Sequence, residues 1–133
     1  MTFLGQTNQR SDEINIGKKI AVIVVTGPAN TGKSFFANKF VGATNNGFKV
    51  RDSMPDSTGT QGIWLWNKLV PINSEFDALV LDCQGMSEDT HPDVDLKLMA
   101  LCMLLSSSFI FNTVGLISDD SLNQLSIMQM LTS

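Results

Sequence analysis

Ile20-Ala21-Val22-Ile23-Val24-Val25-Thr26-Gly27-Pro28-Ala29-Asn30-Thr31-Gly32-Lys33-Ser34 is the stretch on which the fold turns. Its first part is an unbroken apolar, β-branched run from Ile20 to Val25, the pattern of a strand covered on both faces rather than one with a wet side. Its second part, Gly27 to Ser34, fits G-x-x-x-x-G-K-[ST]. Beyond it, Phe36, Ala37, Phe40 and Val41 recur at spacings of three and four, which predicts a helix starting near Lys33, and Gly42 is a plausible stop. A buried strand, a glycine-rich turn and an amphipathic helix in this order form a phosphate loop. The glycines let successive amides and the helix amino terminus face an anion. Lys33 supplies a cation for the β and γ phosphates, and the Ser34 hydroxyl is a ligand for Mg²⁺.

Downstream, Ile63 to Val70 reads as a second strand and Ala78 to Asp82 as a third. The turn between them is too short for a crossover, so the pair should be an antiparallel hairpin. The third strand ends in Asp82-Cys83-Gln84-Gly85, a D-x-x-G that follows a phosphate loop. It would bring a carboxylate to the Mg²⁺ and a glycine amide to the γ phosphate. Residues 43 to 61 form a polar loop long enough to suggest function rather than connection alone. A nucleoside triphosphatase needs a hydroxyl there to close over Mg²⁺ and the γ phosphate. Thr60 is the first choice and Thr58 the second. An apolar helix follows from about Asp95 to Ser106, then a strand from Phe109 to Val114. A last helix is capped by Ser118 or Asp119 and carries Leu122, Leu125 and Met128 or Gln129 on one side.

The expected fold is therefore α/β: a P-loop nucleoside triphosphatase with a mainly parallel sheet, one antiparallel edge hairpin and helices on both faces. The 133 residues suit one domain, with an irregular lead-in over 1–17. At 43% hydrophobic and 17% charged residues the chain is too apolar for a disordered segment. A formal charge of −4 with scattered acids offers no footprint for nucleic acid. Leu98 to Ile117 is free of charge and long enough to span a bilayer, but it holds Ser106, Ser107, Ser108, Asn112 and Thr113 and lacks flanking Lys or Arg. A buried helix running into a buried strand is the better reading, and no membrane segment is expected. Two cysteines and one histidine exclude a disulfide framework and a Cys/His zinc site. Acids at Asp12 and Glu13 exclude a secretory leader, which points to the cytoplasm.

Other residues have bland readings. Trp64 and Trp66 belong to a strand apolar on both faces and should pack as scaffold. Met99, Met103, Met128 and Met130 read as gap fillers. His91 has no nucleophile partner at a recognisable spacing, and Cys83 reads as a small buried filler.

Four blocks together make the chain resemble the guanylate-binding protein family, relatives of the atlastins among the dynamin-like large GTPases. They are GPANTGKSFFANKFVG, the block Thr60-Gln61-Gly62-Ile63-Trp64-Leu65-Trp66, LVLDCQGMSED, and LCMLLSSSFIFNTVGLI followed by DSLNQL. The resemblance, rather than composition or spacing, selects guanine over adenine. It implies a Mg²⁺-dependent GTPase in which water attacks the γ phosphate in line, and a head that forms a homodimer through its nucleotide face. The implied nucleotide-binding set is Gly27, Asn30, Thr31, Gly32, Lys33, Ser34, Phe35, Thr60, Asp82 and Gly85. Ser34, Thr60 and Asp82 hold the metal. Lys33, Thr60 and Thr58 are the catalytic candidates, Thr58 falling where relatives place a small hydroxyl residue that helps position water. The loop is longer here than in typical members, so Thr58 and Thr60 could exchange roles.

Three departures stand out. The family's arginine inside the phosphate loop is Asn30 here, which implies slow hydrolysis unless Arg51 substitutes. The acid of D-x-E-G is Gln84. The base-reading R-D motif is absent, so residues 18–133 match the amino-terminal portion of a GTPase domain, truncated before that motif. Any membrane association would lie in parts outside this chain. The competing expectation is a nucleotide-binding or assembly module with little or no hydrolysis, and a P-loop ATPase is a third.

Overall fold

The computed structural model describes residues 17–50, 59–86 and 92–131. Strand β1 (Lys19–Thr26) lies at the centre of the sheet, flanked by parallel β4 (Phe76–Cys83) and parallel β5 (Ser108–Phe111). Strands β2 (Ile63–Leu65) and β3 (Val70–Pro71) both run antiparallel along the outer edge of β4, giving the order β2-β4-β1-β5 with β3 beside β4. Helices α1 (Lys33–Phe40), α2 (Pro92–Leu105) and α3 (Asp119–Leu131) complete the fold. This is a mixed α/β architecture with a mostly parallel sheet and an antiparallel edge.

Side-chain alternation along β1 and β4 separates two cores. Ile23, Val25, Ala78 and Val80 point toward α1 and pack with Ala37 and Phe48. Val24, Leu81 and Cys83 point the other way and pack with Cys102 of α2. Val24, Val25 and Val80 are completely buried, as the unbroken apolar run requires of a strand covered on both faces.

Several boundaries differ from those read in the sequence. The expected strand Ile63 to Val70 is interrupted. Trp66 still donates its amide to Val80 O (2.9 Å), but Val70 next pairs with Ala78, so extra residues around Asn67-Lys68 bulge from the edge. Pro71 can end this edge because no further amide is needed on its open side. The last strand stops at Phe111, before the expected Val114. The α1 stripe facing the sheet is Lys33, Ala37 and Val41, spaced by four, whereas Phe36 and Phe40 stack on each other toward solvent with ring centroids 6.4 Å apart. Gly42 ends α1 with φ 68°, the left-handed conformation expected of a helix stop. Helix α2 begins at Pro92 rather than Asp95. At α3 the cap is Ser118, whose hydroxyl accepts the Ser121 amide at 3.2 Å.

Burial also departs from expectation. Trp66 packs against Phe48, with centroids 5.5 Å apart, while Trp64 is 47% exposed near the end of the edge. Met99 is buried as a filler but Met130 is exposed, and Leu122 on the predicted inner side of α3 is exposed as well. Helix α2 is buried only on one side, with Leu101, Leu104 and Leu105 exposed. The apolar run from Leu98 is thus a helix followed by a short strand, and no helix among the described residues is long and apolar enough to cross a membrane.

Phe48 was hidden from the sequence reading because it lies in a polar loop. Asn38 of α1 holds it there, donating Nδ2 to Phe48 O (2.9 Å) and accepting the Phe48 amide at Oδ1 (2.6 Å). Asn38→Ala would leave both backbone groups without these partners, a cost of about 1–3 kcal/mol. The expected outcome is a lower melting temperature by circular dichroism, with the midpoint falling by several degrees.

Candidate functional site

The carboxyl ends of β1 and β4 and the amino end of α1 meet at one place. Gly27 leaves β1 at φ 138°, and a Cβ there would overlap the carbonyl oxygen of Asn112. Glycine is therefore required both by conformation and by close backbone approach. The loop turns at Asn30, itself left-handed at φ 61°, a conformation that asparagine tolerates better than most side chains. It then enters α1 through Gly32, which gives the helix no side-chain cap. The first intrahelical bond runs from Phe36 N to Gly32 O (2.9 Å), so the amides of Lys33, Ser34 and Phe35 have no acceptor within the helix. With no acid in the first turn, these amides and the helix dipole present a positive end.

Lys33 is 6% exposed and donates Nζ to Pro28 O at 2.7 Å, folding back across the loop. Burial pulls its ammonium below the ordinary lysine range, against the opposing pull of the Asp82 carboxylate. Gly85 presses on the same amine, since a Cβ there would stand 2.6 Å from Lys33 Nζ and 2.6 Å from Ala29 Cα. The segment after β4 is stitched to the loop by two backbone bonds, Ala29 N to Met86 O (2.7 Å) and Met86 N to Gly27 O (3.3 Å).

Beside Lys33, three side chains converge from three parts of the chain. Ser34 Oγ donates to Asp82 Oδ2 at 2.6 Å, and Thr60 Oγ1 donates to the same oxygen at 3.2 Å. The two hydroxyls are 2.9 Å apart. Asp82 is fully buried, and its other oxygen, Oδ1, has no hydrogen-bond partner among the described residues. Burial pushes the Asp82 carboxyl above the ordinary aspartate range, against the hydroxyls of Ser34 and Thr60 and the charge of Lys33. An unpartnered buried carboxylate oxygen beside two hydroxyls suits a small hard cation that completes its shell with water and phosphate oxygens.

Two polar residues brace the site: Asn112, whose part in it was not read from the sequence, and Gln84, which the sequence marked only as a departure from D-x-E-G. Asn112, directly after β5, donates Nδ2 to Thr31 O (2.7 Å) and its amide to Thr26 O (2.7 Å). Its only signal was a lone amide inside an apolar run. Gln84 accepts the Gly62 amide at Oε1 (2.8 Å), donates its own amide to Gly62 O (2.8 Å) and reaches Asp95 Oδ1 at 3.4 Å. It thus couples the segment carrying Thr60 to the end of β4 and to α2. A carboxylate in its place would face the Asp95 carboxylate.

The structure thus gathers Gly27, Asn30, Thr31, Gly32, Lys33, Ser34, Phe35, Thr60, Asp82 and Gly85 at one end of the sheet. Thr58, Arg51 and His91 lie outside the described residues. Cys83 is no isolated filler: its sulfur lies 3.2 Å from that of Cys102, across 19 positions of sequence. The Cys102 S–H donates to Cys83, which lowers the Cys83 thiol and raises that of Cys102.

Comparison with known proteins identifies relatives of the chain. Residues 8–133 match the family model described as guanylate-binding protein, N-terminal domain. The chain is 34% identical over 119 residues to human guanylate-binding protein 7, covering 88% of this chain and 18% of that protein. It is 35% identical over 129 residues to mouse guanylate-binding protein 6, covering 94% and 21%, and 33% identical over 131 residues to human guanylate-binding protein 5, covering 96% and 22%. The chain therefore spans about a fifth of the length of these curated relatives. A family match that takes in the glycine-rich loop, the edge hairpin, the Asp82 strand and both later helices leads to one conclusion: the chain belongs to the guanylate-binding protein family.

Proposed function

We propose that this chain binds GTP with Mg²⁺ and hydrolyses it slowly, residues 18–133 being the amino-terminal portion of a GTPase domain of the P-loop class. The observation that carries the reading is the meeting of Ser34, Thr60 and Asp82, with Asp82 Oδ1 unpartnered, next to the open amides of Lys33, Ser34 and Phe35. The choice of guanine rests on membership of the family.

In this reading the loop amides from Asn30 to Phe35 cradle the phosphates. Lys33 exchanges the Pro28 carbonyl for phosphate oxygens, and the Gly85 amide faces the γ phosphate. Ser34, Thr60 and Asp82 would hold Mg²⁺, which when bound neutralises charge on the β and γ phosphate oxygens. Thr60 closes over the cation and Thr58 helps to place the attacking water, unless the two exchange roles, and no covalent intermediate forms. Asn30 donates a hydrogen bond but brings no charge, so turnover is slow. A second reading, a binding or assembly module with little hydrolysis, is favoured by that same asparagine. We assign the nucleotide face as the surface for a nucleotide-dependent homodimer, and the cytoplasm as the location.

The test is titration of a fluorescent GTP analogue into the chain with Mg²⁺, with ATP and GTP as competitors. Binding should weaken at least about tenfold in Lys33→Ala, through loss of a charge-assisted contact, and on chelation of Mg²⁺. GTP should displace the analogue better than ATP. A folded chain that binds no nucleotide would overturn the proposal.

A further inference from the structure

We propose that Cys83 and Cys102 form a reversible intramolecular disulfide that ties the end of β4 to α2. Both thiols are free and buried, with their sulfurs 3.2 Å apart. A disulfide needs the sulfurs to close to about 2.05 Å, a short movement for two side chains already in contact. Cys83 lies on the α2 side of β4, with Val24, Leu81 and Cys102. Its backbone neighbours are Asp82, which faces the Ser34 and Thr60 hydroxyls, and Gln84, which holds Gly62 and Asp95.

Burial decides which oxidant and which product are available. A small neutral peroxide is the class of oxidant that suits a covered site. One thiol reduces hydrogen peroxide, giving a sulfenic acid and water. The second thiol then attacks that sulfur, and the S–S bond forms as a second water leaves. Two thiol hydrogens and two electrons pass to the peroxide, and a dithiol reductant returns them. Because the second sulfur is already in contact and solvent is excluded, crosslinking outruns further oxidation of the first. The bond would fix α2 against the strand end that positions Asp82 and Gln84, and so change how the site accepts nucleotide. That last step rests on the nucleotide-binding reading above, whereas the crosslink does not.

The whole chain, reduced and then treated with a small excess of hydrogen peroxide, should lose about 2 Da by intact mass. After unfolding it should show no alkylatable thiol, and peptide mapping should link Cys83 to Cys102 within one molecule. Dithiothreitol should restore both thiols. Cys102→Ser should gain oxygen on Cys83 in place of the link. Affinity for the fluorescent GTP analogue should differ by about threefold or more between oxidised and reduced chain and revert on reduction, as expected of a redox switch beside a site. Two intact thiols, oxygen adducts alone on the wild-type chain, or crosslinks between molecules would overturn the disulfide. A disulfide that leaves analogue binding unchanged would overturn its coupling to the site. A chain that binds no analogue when reduced contradicts the nucleotide reading, while the mass and thiol measurements still decide the crosslink.

Discussion

Asn30→Arg is expected to raise GTP turnover by roughly a hundredfold or more, since an arginine finger contributes about 10³ to 10⁵ in rate. Position 30 is at the crest of the Gly27 to Ser34 loop, exposed and left-handed at φ 61°. In the proposed reading, asparagine at this position brings a dipole but no charge to the transferring phosphoryl group. A guanidinium would add charge where the transition state differs from the ground state, so kcat should rise much more than binding. Arginine in a left-handed conformation costs about 1–2 kcal/mol, so the variant should melt a few degrees lower. Phosphate release under saturating GTP, read beside analogue affinity, checks the outcome. Unchanged turnover in a variant that still binds GTP would favour the assembly-module reading.

Asp82→Asn should produce opposite changes in function and stability. Nucleotide affinity in the presence of Mg²⁺ is expected to fall by about a hundredfold or more, because the amide removes the carboxylate charge that the cation requires. The unliganded chain should melt higher by several degrees, since an incompletely paired buried charge costs roughly 1–3 kcal/mol or more. The pH dependence follows in sign. Burial raises the folded-state pKa of Asp82 above its ordinary value of 3.8. The folded chain therefore holds that proton more tightly than the unfolded chain does, and ionised Asp82 lowers stability above the folded pKa. That deficit shrinks as pH falls through the folded pKa toward 3.8. The melting gap between variant and wild type should thus be widest near neutrality and close on acidification. A variant that is less stable at neutral pH would show that the Ser34 and Thr60 bonds outweigh the buried charge. Thermal melts across pH, paired with analogue titration, separate the two effects.

Local chemistry in the sequence carried much of this architecture. The β-branched run Ile20 to Val25 can be satisfied only by cover on both faces. Gly27 and Gly32 sit where the loop takes positive φ on its way from strand to helix, and Lys33 and Ser34 follow at the fixed offsets of the G-x-x-x-x-G-K-[ST] pattern. Asp82 at the end of an apolar run, with Gly85 three residues on, could be read by the same logic, and so could the Gly42 stop of α1. Such signals depend on backbone conformation and on neighbours a few residues away. The outward turn of Phe36 and Phe40 had no such signal, because spacing alone does not say which of two adjacent apolar stripes meets the sheet, and here it is Lys33, Ala37 and Val41.

Tertiary structure alone decided contacts between distant parts of the chain. Phe48 enters the core only because Asn38 holds its backbone, and Asn112 supports the glycine-rich loop only because β5 lies beside β1. Gln84 becomes a link between Gly62 and Asp95, and Cys83 meets Cys102, because β4 and α2 pack together. The meeting of Ser34, Thr60 and Asp82 was expected from their motifs, and the fold adds the contacts themselves, with both hydroxyls on Asp82 Oδ2. Conformational preference is a property of short segments and can be read in order along the chain. A hydrogen bond, a buried charge or a thiol pair depends on which segments the sheet brings within a few ångströms of each other, and only the folded arrangement specifies that.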